Sequence, residues 1–185
     1  EIVLLSYYIA AINIETVFDE VNGPDEGYVP FNGIVLTDTF ESTEKQPVLD
    51  DKLFGENNAR LKEQQKDPIT VIIGNPPYNK INSTANTKYK KTSYPKLEES
   101  IQRTYARLTD AGLKNALSDS YIKAFRWATD RIEKKGIIAY ITNNGYLNAQ
   151  SLNGVRKSMF EEFNYIYIVN LRGSVQGLSN YDIRL

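Results

Sequence analysis

The chain has no cysteine and no histidine, and only one methionine and one tryptophan. Without cysteine there is no disulfide framework and no thiolate nucleophile. Without histidine there is no Ser-His-Asp triad, and with both types missing there is no Cys/His zinc site, so no metal is expected. No run of apolar residues is long enough to span a bilayer and no secretory leader is evident, so no membrane association is read and the cytoplasm is the default location. Low-complexity tracts and internal repeats are absent as well. What is present is 185 residues, 41% of them hydrophobic, enough for one domain with a substantial core.

The net charge of −1 conceals an asymmetry. Residues 1–70 carry 5 Lys/Arg against 14 Asp/Glu, whereas residues 80–135 carry 13 against 6. The basic block includes Lys80, Lys88, Lys90, Lys91 and Lys96, interleaved with Tyr89 and Tyr94. Cations there can meet phosphates while aromatic rings face bases; an ordinary solvated loop and helix face is the competing reading.

The basic block follows Ile69-Thr70-Val71-Ile72-Ile73-Gly74-Asn75-Pro76-Pro77-Tyr78. The β-branched run 69–73 reads as a fully buried strand. Gly74 ends it, and two prolines forbid its continuation because neither has an N–H for the ladder. An amide, a rigid turn and an aromatic ring therefore sit at a strand's carboxyl end, where open α/β sheets bind ligands. Pro77 biases Pro76 toward extended backbone, so the Pro76 carbonyl has no adjacent donor. Asn75 offers a second carbonyl beside it. Two fixed acceptors suit an NH₂ group, and Tyr78 offers a face on which a planar base can stack, worth about 1–3 kcal/mol. Accepting both hydrogens pushes the amine toward tetrahedral geometry and frees its lone pair for attack, with no covalent enzyme intermediate.

Along the rest of the chain, residues 1–15 are apolar on most faces, as in a buried helix packed on a sheet. A chain that opens straight into such a helix reads as a piece of something longer. Residues 19–30 read as loop, 33–40 as a short buried strand containing Asp38, and 53–66 as a polar helix. Residues 79–100 show little periodicity and read mostly as loop. A helix is expected from about Leu97 to Ala106, and an amphipathic one from Lys114 to Glu133. Residues 136–142 and 164–170 read as buried strands, 143–146 as a turn, and 151–163 as a helix capped by Ser151 with Arg156 and Lys157 on its surface. Residues 173–185 show no clear pattern. Alternating apolar strands and helices predict a doubly wound α/β fold with a mostly parallel sheet.

Several segments together resemble one family: Leu-Thr-Asp-Thr-Phe at 36–40, Gly-Asn-Pro-Pro-Tyr at 74–78, Lys-Asn-Ala-Leu-Ser-Asp-Ser-Tyr at 114–121, Gly-Ile-Ile-Ala-Tyr-Ile-Thr-Asn-Asn-Gly-Tyr-Leu at 136–147, Asn-Gly-Val-Arg-Lys at 153–157 and Asn-Leu-Arg-Gly at 170–173. It is the adenine-N6 DNA methyltransferase region of large single-chain restriction–modification enzymes of the type ISP and type IIG kind. The resemblance implies a Rossmann-like, S-adenosylmethionine-dependent methyltransferase fold. It implies that Asn75, Pro76, Pro77 and Tyr78 hold and stack an adenine flipped out of double-stranded DNA. It implies that Asp38 and the Thr39 N–H meet the adenine ring of S-adenosylmethionine, and that Glu1 binds the ribose hydroxyls. The ordinary role of an Asp at position 38 is to cap a turn, and Glu1 stands as a terminal charge.

Departures from the family pattern carry expectations of their own. The Gly-rich loop for the methionine part of the cofactor and the target-recognition region have no counterpart within 1–185. The 185 residues are thus expected to be an incomplete part of one catalytic domain, fused in the parent chain to nuclease and target-recognition regions and inactive as an isolated piece. Cytosine-C5 methylation, which uses a Cys nucleophile, is excluded for this chain. Two other readings stay open: methylation of a protein glutamine or RNA base by the same turn, and a non-catalytic nucleic-acid-binding remnant.

Overall fold

The computed structural model describes residues 3–23, 27–41, 44, 50–77, 93–110, 112, 115–132 and 134–171. In chain order these form α1 (Leu4–Asn22), α2 (Asp51–Lys66), β1 (Val71–Gly74), α3 (Pro95–Ile101), α4 (Ser120–Arg131), β2 (Ile137–Tyr140), α5 (Gly145–Asn148) and α6 (Asn153–Glu162). Glu1, Tyr78, most of the basic block and residues 173–185 lie outside the described residues.

β1 and β2 pair in parallel, with Val71 opposite Ile137 and Gly74 opposite Tyr140. Among the described residues they are the whole sheet: one parallel pair with α3 and α4 between its strands in sequence, which falls short of the doubly wound sheet expected. The strand expected at 69–73 is displaced by two residues and includes Gly74. It is also not buried on both faces: burial alternates along it, and Ile73 is 78% exposed. One face packs on α4, through Phe125 against Tyr140 with ring centroids 5.5 Å apart, and the outward face of Ile73 meets no comparable cover.

The expected strand at 33–40 joins no ladder. Instead the side-chain amide of Asn57 on α2 serves the Leu36 backbone: the Leu36 N–H donates to Asn57 Oδ1 (2.7 Å) and Asn57 Nδ2 donates to the Leu36 carbonyl (3.0 Å). One side chain thus replaces a neighbouring strand, which satisfies the buried backbone without a sheet. Residues 164–170 likewise form no ladder among the described residues, and Tyr167 is 88% exposed.

The N-terminal helix also departs from expectation. α1 runs on to Asn22 and ends at Gly23, whose φ of 82° lies where glycine alone is unstrained. None of its residues is buried; Leu5, Ile12, Val17 and Val21 stand exposed among others. Its ties are polar. Glu15 accepts from the Tyr28 hydroxyl (3.1 Å) and the Phe31 N–H (2.8 Å), and Arg60 on α2 donates to Tyr7 Oη (3.0 Å). Asp50 starts α2 two residues earlier than expected, accepting from the Lys52 N–H at 2.9 Å.

The core is helical. Pro95 opens α3, the position where a missing N–H costs nothing. α3 widens into a π turn over Gln102–Ala106. The helix expected over 114–133 is broken at Asp119, which is extended: a 3₁₀ turn, Asn115–Ser118, precedes α4. Leu97, Ile101, Tyr105, Tyr121, Ile122 and Val155 interlock between α3, α4 and α6. Burying such side chains is worth about 1.5–3 kcal/mol each. α6 starts after a 3₁₀ turn over Gln150–Leu152, so Ser151 lies within that turn and does not cap the helix. Its Gly154 sits against bare backbone, where a Cβ would lie 2.0 Å from the Tyr105 carbonyl oxygen.

A buried ionic cluster locks these three helices together. Arg126, 3% exposed, donates through Nη1 and Nη2 to both carboxylate oxygens of Glu162 (2.8 Å each) and through Nε and Nη2 to Asp130. Ser158 donates to Glu162, Ser100 donates to Asp130 (2.7 Å), and the guanidinium lies 5.4 Å from the Tyr105 ring centroid. The buried charge of Arg126 is therefore met by fixed partners, the condition under which burial is tolerated. Burial pushes the Glu162 carboxyl up, but the Arg126 fork and Ser158 more than offset that and leave it below its usual value.

Candidate active site

The strand ends place the candidate turn. The Ile141 N–H donates to the Gly74 carbonyl at 3.0 Å, so the two chains leave the sheet side by side. Asn75 is exposed and Pro76 half-buried directly beyond that bond. A Cβ at Gly74 would lie 3.2 Å from the Tyr140 ring, so any larger residue there would make that ring shift. By the register of β1 and β2, their carboxyl ends present the Asn75-Pro76-Pro77 segment beside Ile141-Thr142-Asn143.

An aromatic wall backs this edge. Tyr121 and Phe125 from α4 meet at 6.4 Å between ring centroids, and Phe125 meets Tyr146 at 5.4 Å. Burial raises Tyr140 and Tyr121 to about 12, with Asp119 and Tyr146 adding to the Tyr121 shift, and burial raises Tyr146 as well. All three therefore stay neutral hydroxyls across the physiological range. The Tyr140 hydroxyl points at the Ala124 carbonyl, 3.5 Å away.

Asp38 sits in a second locale. Its Oδ1 accepts from the Phe40 N–H (3.0 Å), the turn-capping role open to it on sequence. Its Oδ2 accepts from the Tyr94 hydroxyl at 2.7 Å. A carboxylate offers about four acceptor positions, of which the described residues fill these two. Thr39 is exposed on the same turn. Tyr94 is thus not an aromatic available to bases: it is buried, edge-on to Phe40 at 5.4 Å, with Lys123 Nζ 5.1 Å from its ring centroid. Lys123 is itself buried and paired with Glu98 at 3.4 Å. Sequence reading missed both; the one signal for Tyr94 was its place directly before the proline that opens a helix.

A cavity of about 430 Å³ opens between the start of α1 and the start of α2. Leu4, Tyr7, Tyr8, Leu36, Phe54 and Arg60 line it. It brings the beginning of α1, three residues after Glu1, to the segment two residues before Asp38. Arg60 Nε is buried at its wall with no partner among the described residues. α4 separates the two locales: Lys123 faces the ring of Tyr94, whose hydroxyl binds Asp38, whereas Tyr121 and Phe125 meet the aromatic rings behind the sheet edge.

Among known proteins, the profile of the Eco57I restriction-modification methylase family matches residues 22–177. No curated protein matches the chain. Among solved structures, a nuclease-deletion mutant of the Type ISP restriction-modification enzyme LlaGI in complex with a DNA substrate mimic is 55% identical, with a TM-score of 0.83, over 89% of this chain. The ATP-dependent Type ISP restriction-modification enzyme LlaBIII bound to DNA is 56% identical, with a TM-score of 0.82, over 88%. The DrdV–DNA complex is 36% identical, with a TM-score of 0.77, over 88%. The chain spans 13%, 11% and 15% of those chains, respectively.

Proposed function

The chain belongs to the Eco57I restriction-modification methylase family, and from that premise we propose that it carries the amine-holding edge of an adenine-N6 DNA methyltransferase that uses S-adenosylmethionine. In this reading residues 1–185 are part of one Rossmann-like catalytic domain, in a polypeptide that also recognises double-stranded DNA. The observation that carries it is the Asn75-Pro76-Pro77 segment leaving the carboxyl end of β1, held there by the Gly74–Ile141 hydrogen bond.

Asn75 Oδ1 and the Pro76 carbonyl accept the two hydrogens of an adenine amine flipped from the duplex. Tyr78 stacks on the extruded ring. Drawing both hydrogens into one plane of acceptors turns the nitrogen lone pair outward, and the nitrogen sheds a proton to solvent as the new N–C bond forms. Bound S-adenosylmethionine supplies the methyl group on a sulfonium sulfur that takes back the electron pair of the broken C–S bond. The residues present fit that cofactor. Asp38 has acceptor positions beyond the two that the described residues fill, Thr39 lies on the same turn, and the adjoining cavity has the aromatic walls of Tyr7, Tyr8 and Phe54. Glu1, which lies outside the described residues, is assigned the ribose hydroxyls by family resemblance alone.

The test is labelled methyl transfer by the full-length protein, offered unmethylated duplex DNA, RNA and protein in parallel. Label in DNA is expected. Label in protein or RNA instead would transfer the same turn to the other substrates it suits, and none anywhere would leave a binding remnant.

A further inference from the structure

We propose that Asn143 positions the flipped base and helps to select it, its Nδ2 donating to the ring nitrogen beside the amine held by Asn75 and Pro76, a role that rests on the adenine-N6 reading. The placement comes from the sheet. Gly74 faces Tyr140 and the Ile141 N–H donates to the Gly74 carbonyl at 3.0 Å. The same register puts Asn75 opposite Ile141 and Pro76 opposite Thr142, on chains about 4.8 Å apart. Asn143 follows directly, on the side of Pro77.

Its orientation is fixed. Asn143 Oδ1 accepts from the Gly145 N–H at 2.6 Å. An N–H meets the amide oxygen and not its nitrogen, so the assignment of the two ends is unambiguous. Nδ2 is left as the donor, on an exposed residue and with no partner among the described residues. The turn that holds it is closed on α4. A Cβ on Gly145 would lie 3.0 Å from Asn143 Oδ1 and 3.6 Å from the Tyr121 hydroxyl, and the next residue, Tyr146, stacks on Phe125.

The chemistry is complementary. Asn75 Oδ1 and the Pro76 carbonyl supply acceptors only for the amine. Adenine presents, next to that amine, an acceptor at N1 on its Watson–Crick edge, which a pocket of acceptors alone leaves unmet. A donor at Asn143 completes the pair. Guanine presents a carbonyl and an N–H at the corresponding positions and is refused at both.

The experiment is single-turnover methyl transfer by the full-length protein on duplexes carrying adenine or 1-deazaadenine at the target position. In the wild type, loss of N1 is expected to slow transfer about tenfold, the scale of one lost hydrogen bond. Asn143→Asp keeps the size and the acceptor for the Gly145 N–H but has no donor; it and Asn143→Ala are expected to be slowed by about as much on adenine and to be indifferent to 1-deazaadenine. If Asn143→Asp matches the wild type, or if the 1-deaza penalty persists in both variants, Asn143 merely closes its turn and the proposal is overturned. Absence of wild-type transfer to unmodified adenine would refute the adenine-N6 reading itself, and this role with it; that control separates the two failures.

Discussion

Among the described glycines, Gly154 is the one where an added Cβ would come closest to another atom. Adding one methyl group at position 154 puts a Cβ 2.0 Å from the Tyr105 carbonyl oxygen, 2.8 Å from the Thr109 nitrogen and 3.0 Å from the Tyr105 carbonyl carbon. All three neighbours are backbone, so no side chain can swing aside. Ordinary contact needs about 3.4 Å, so α6 must retreat by more than an ångström from the π turn. Overpacking of this kind costs about 1–3 kcal/mol, and more where backbone must move. Replacing a helical glycine returns about 1 kcal/mol of propensity. The net expectation for Gly154→Ala is a loss of about 2 kcal/mol, which is about 30-fold in a local opening equilibrium. In the full-length protein this is read as about 30-fold faster amide exchange in α6 and in the π turn. The control is Gly55→Ala, where a Cβ meets nothing within 4 Å; there exchange should be unchanged or slower. Equal behaviour of the two variants would refute the α6–π-turn packing described here.

Other expectations follow from the same geometry. Tyr94→Phe keeps the ring against Phe40 but removes the hydroxyl bound to Asp38 Oδ2. A hydrogen bond to a charged group is worth about 1.5–3 kcal/mol when fully formed. Asp38 is half-buried, so the discounted expectation is about tenfold weaker binding of S-adenosylmethionine, read by calorimetric titration with the full-length protein. Glu162 answers a pH test. Its carboxyl is lowered from 4.5 in the folded chain, so the stability it contributes is present above that value and is lost as pH falls through the lower folded value. Glu162→Gln should therefore reduce α6 protection about tenfold at pH 7, with the gap to wild type closing at pH values below 4.5. A gap that stays constant down to the acid limit would contradict the ionic role of the Arg126 fork.

Local signals announce what the structure keeps, and tertiary accommodation accounts for the rest. The β-branched residues before Gly74 and after Gly136 are enough to place both strands, and the Pro-Pro pair is enough to place the turn at their carboxyl end. The π turn and the break at Asp119 carry no such mark, because they arise where α6 presses on Tyr105 and where an extended residue restarts the helix. Val35 and Leu36 have the apolar character of a strand and the burial of one, but Asn57, remote in sequence, supplies the pairing. The apolar residues of α1 suggest a buried helix, whereas in the structure they are exposed. Asp38 takes the capping role legible in the sequence through Oδ1, while the Tyr94 hydroxyl on Oδ2, remote in sequence, carried no such signal.

The most direct test of the central claim is product analysis after incubating the full-length protein with S-adenosylmethionine and unmethylated duplex DNA, compared with Asn75→Ala. N6-methyladenine is expected from the wild type, and about 10²–10³-fold less from the variant, the scale of losing one preorganised polar contact, with DNA binding retained. N6-methyladenine formed equally by both proteins would contradict the role assigned to the turn after β1.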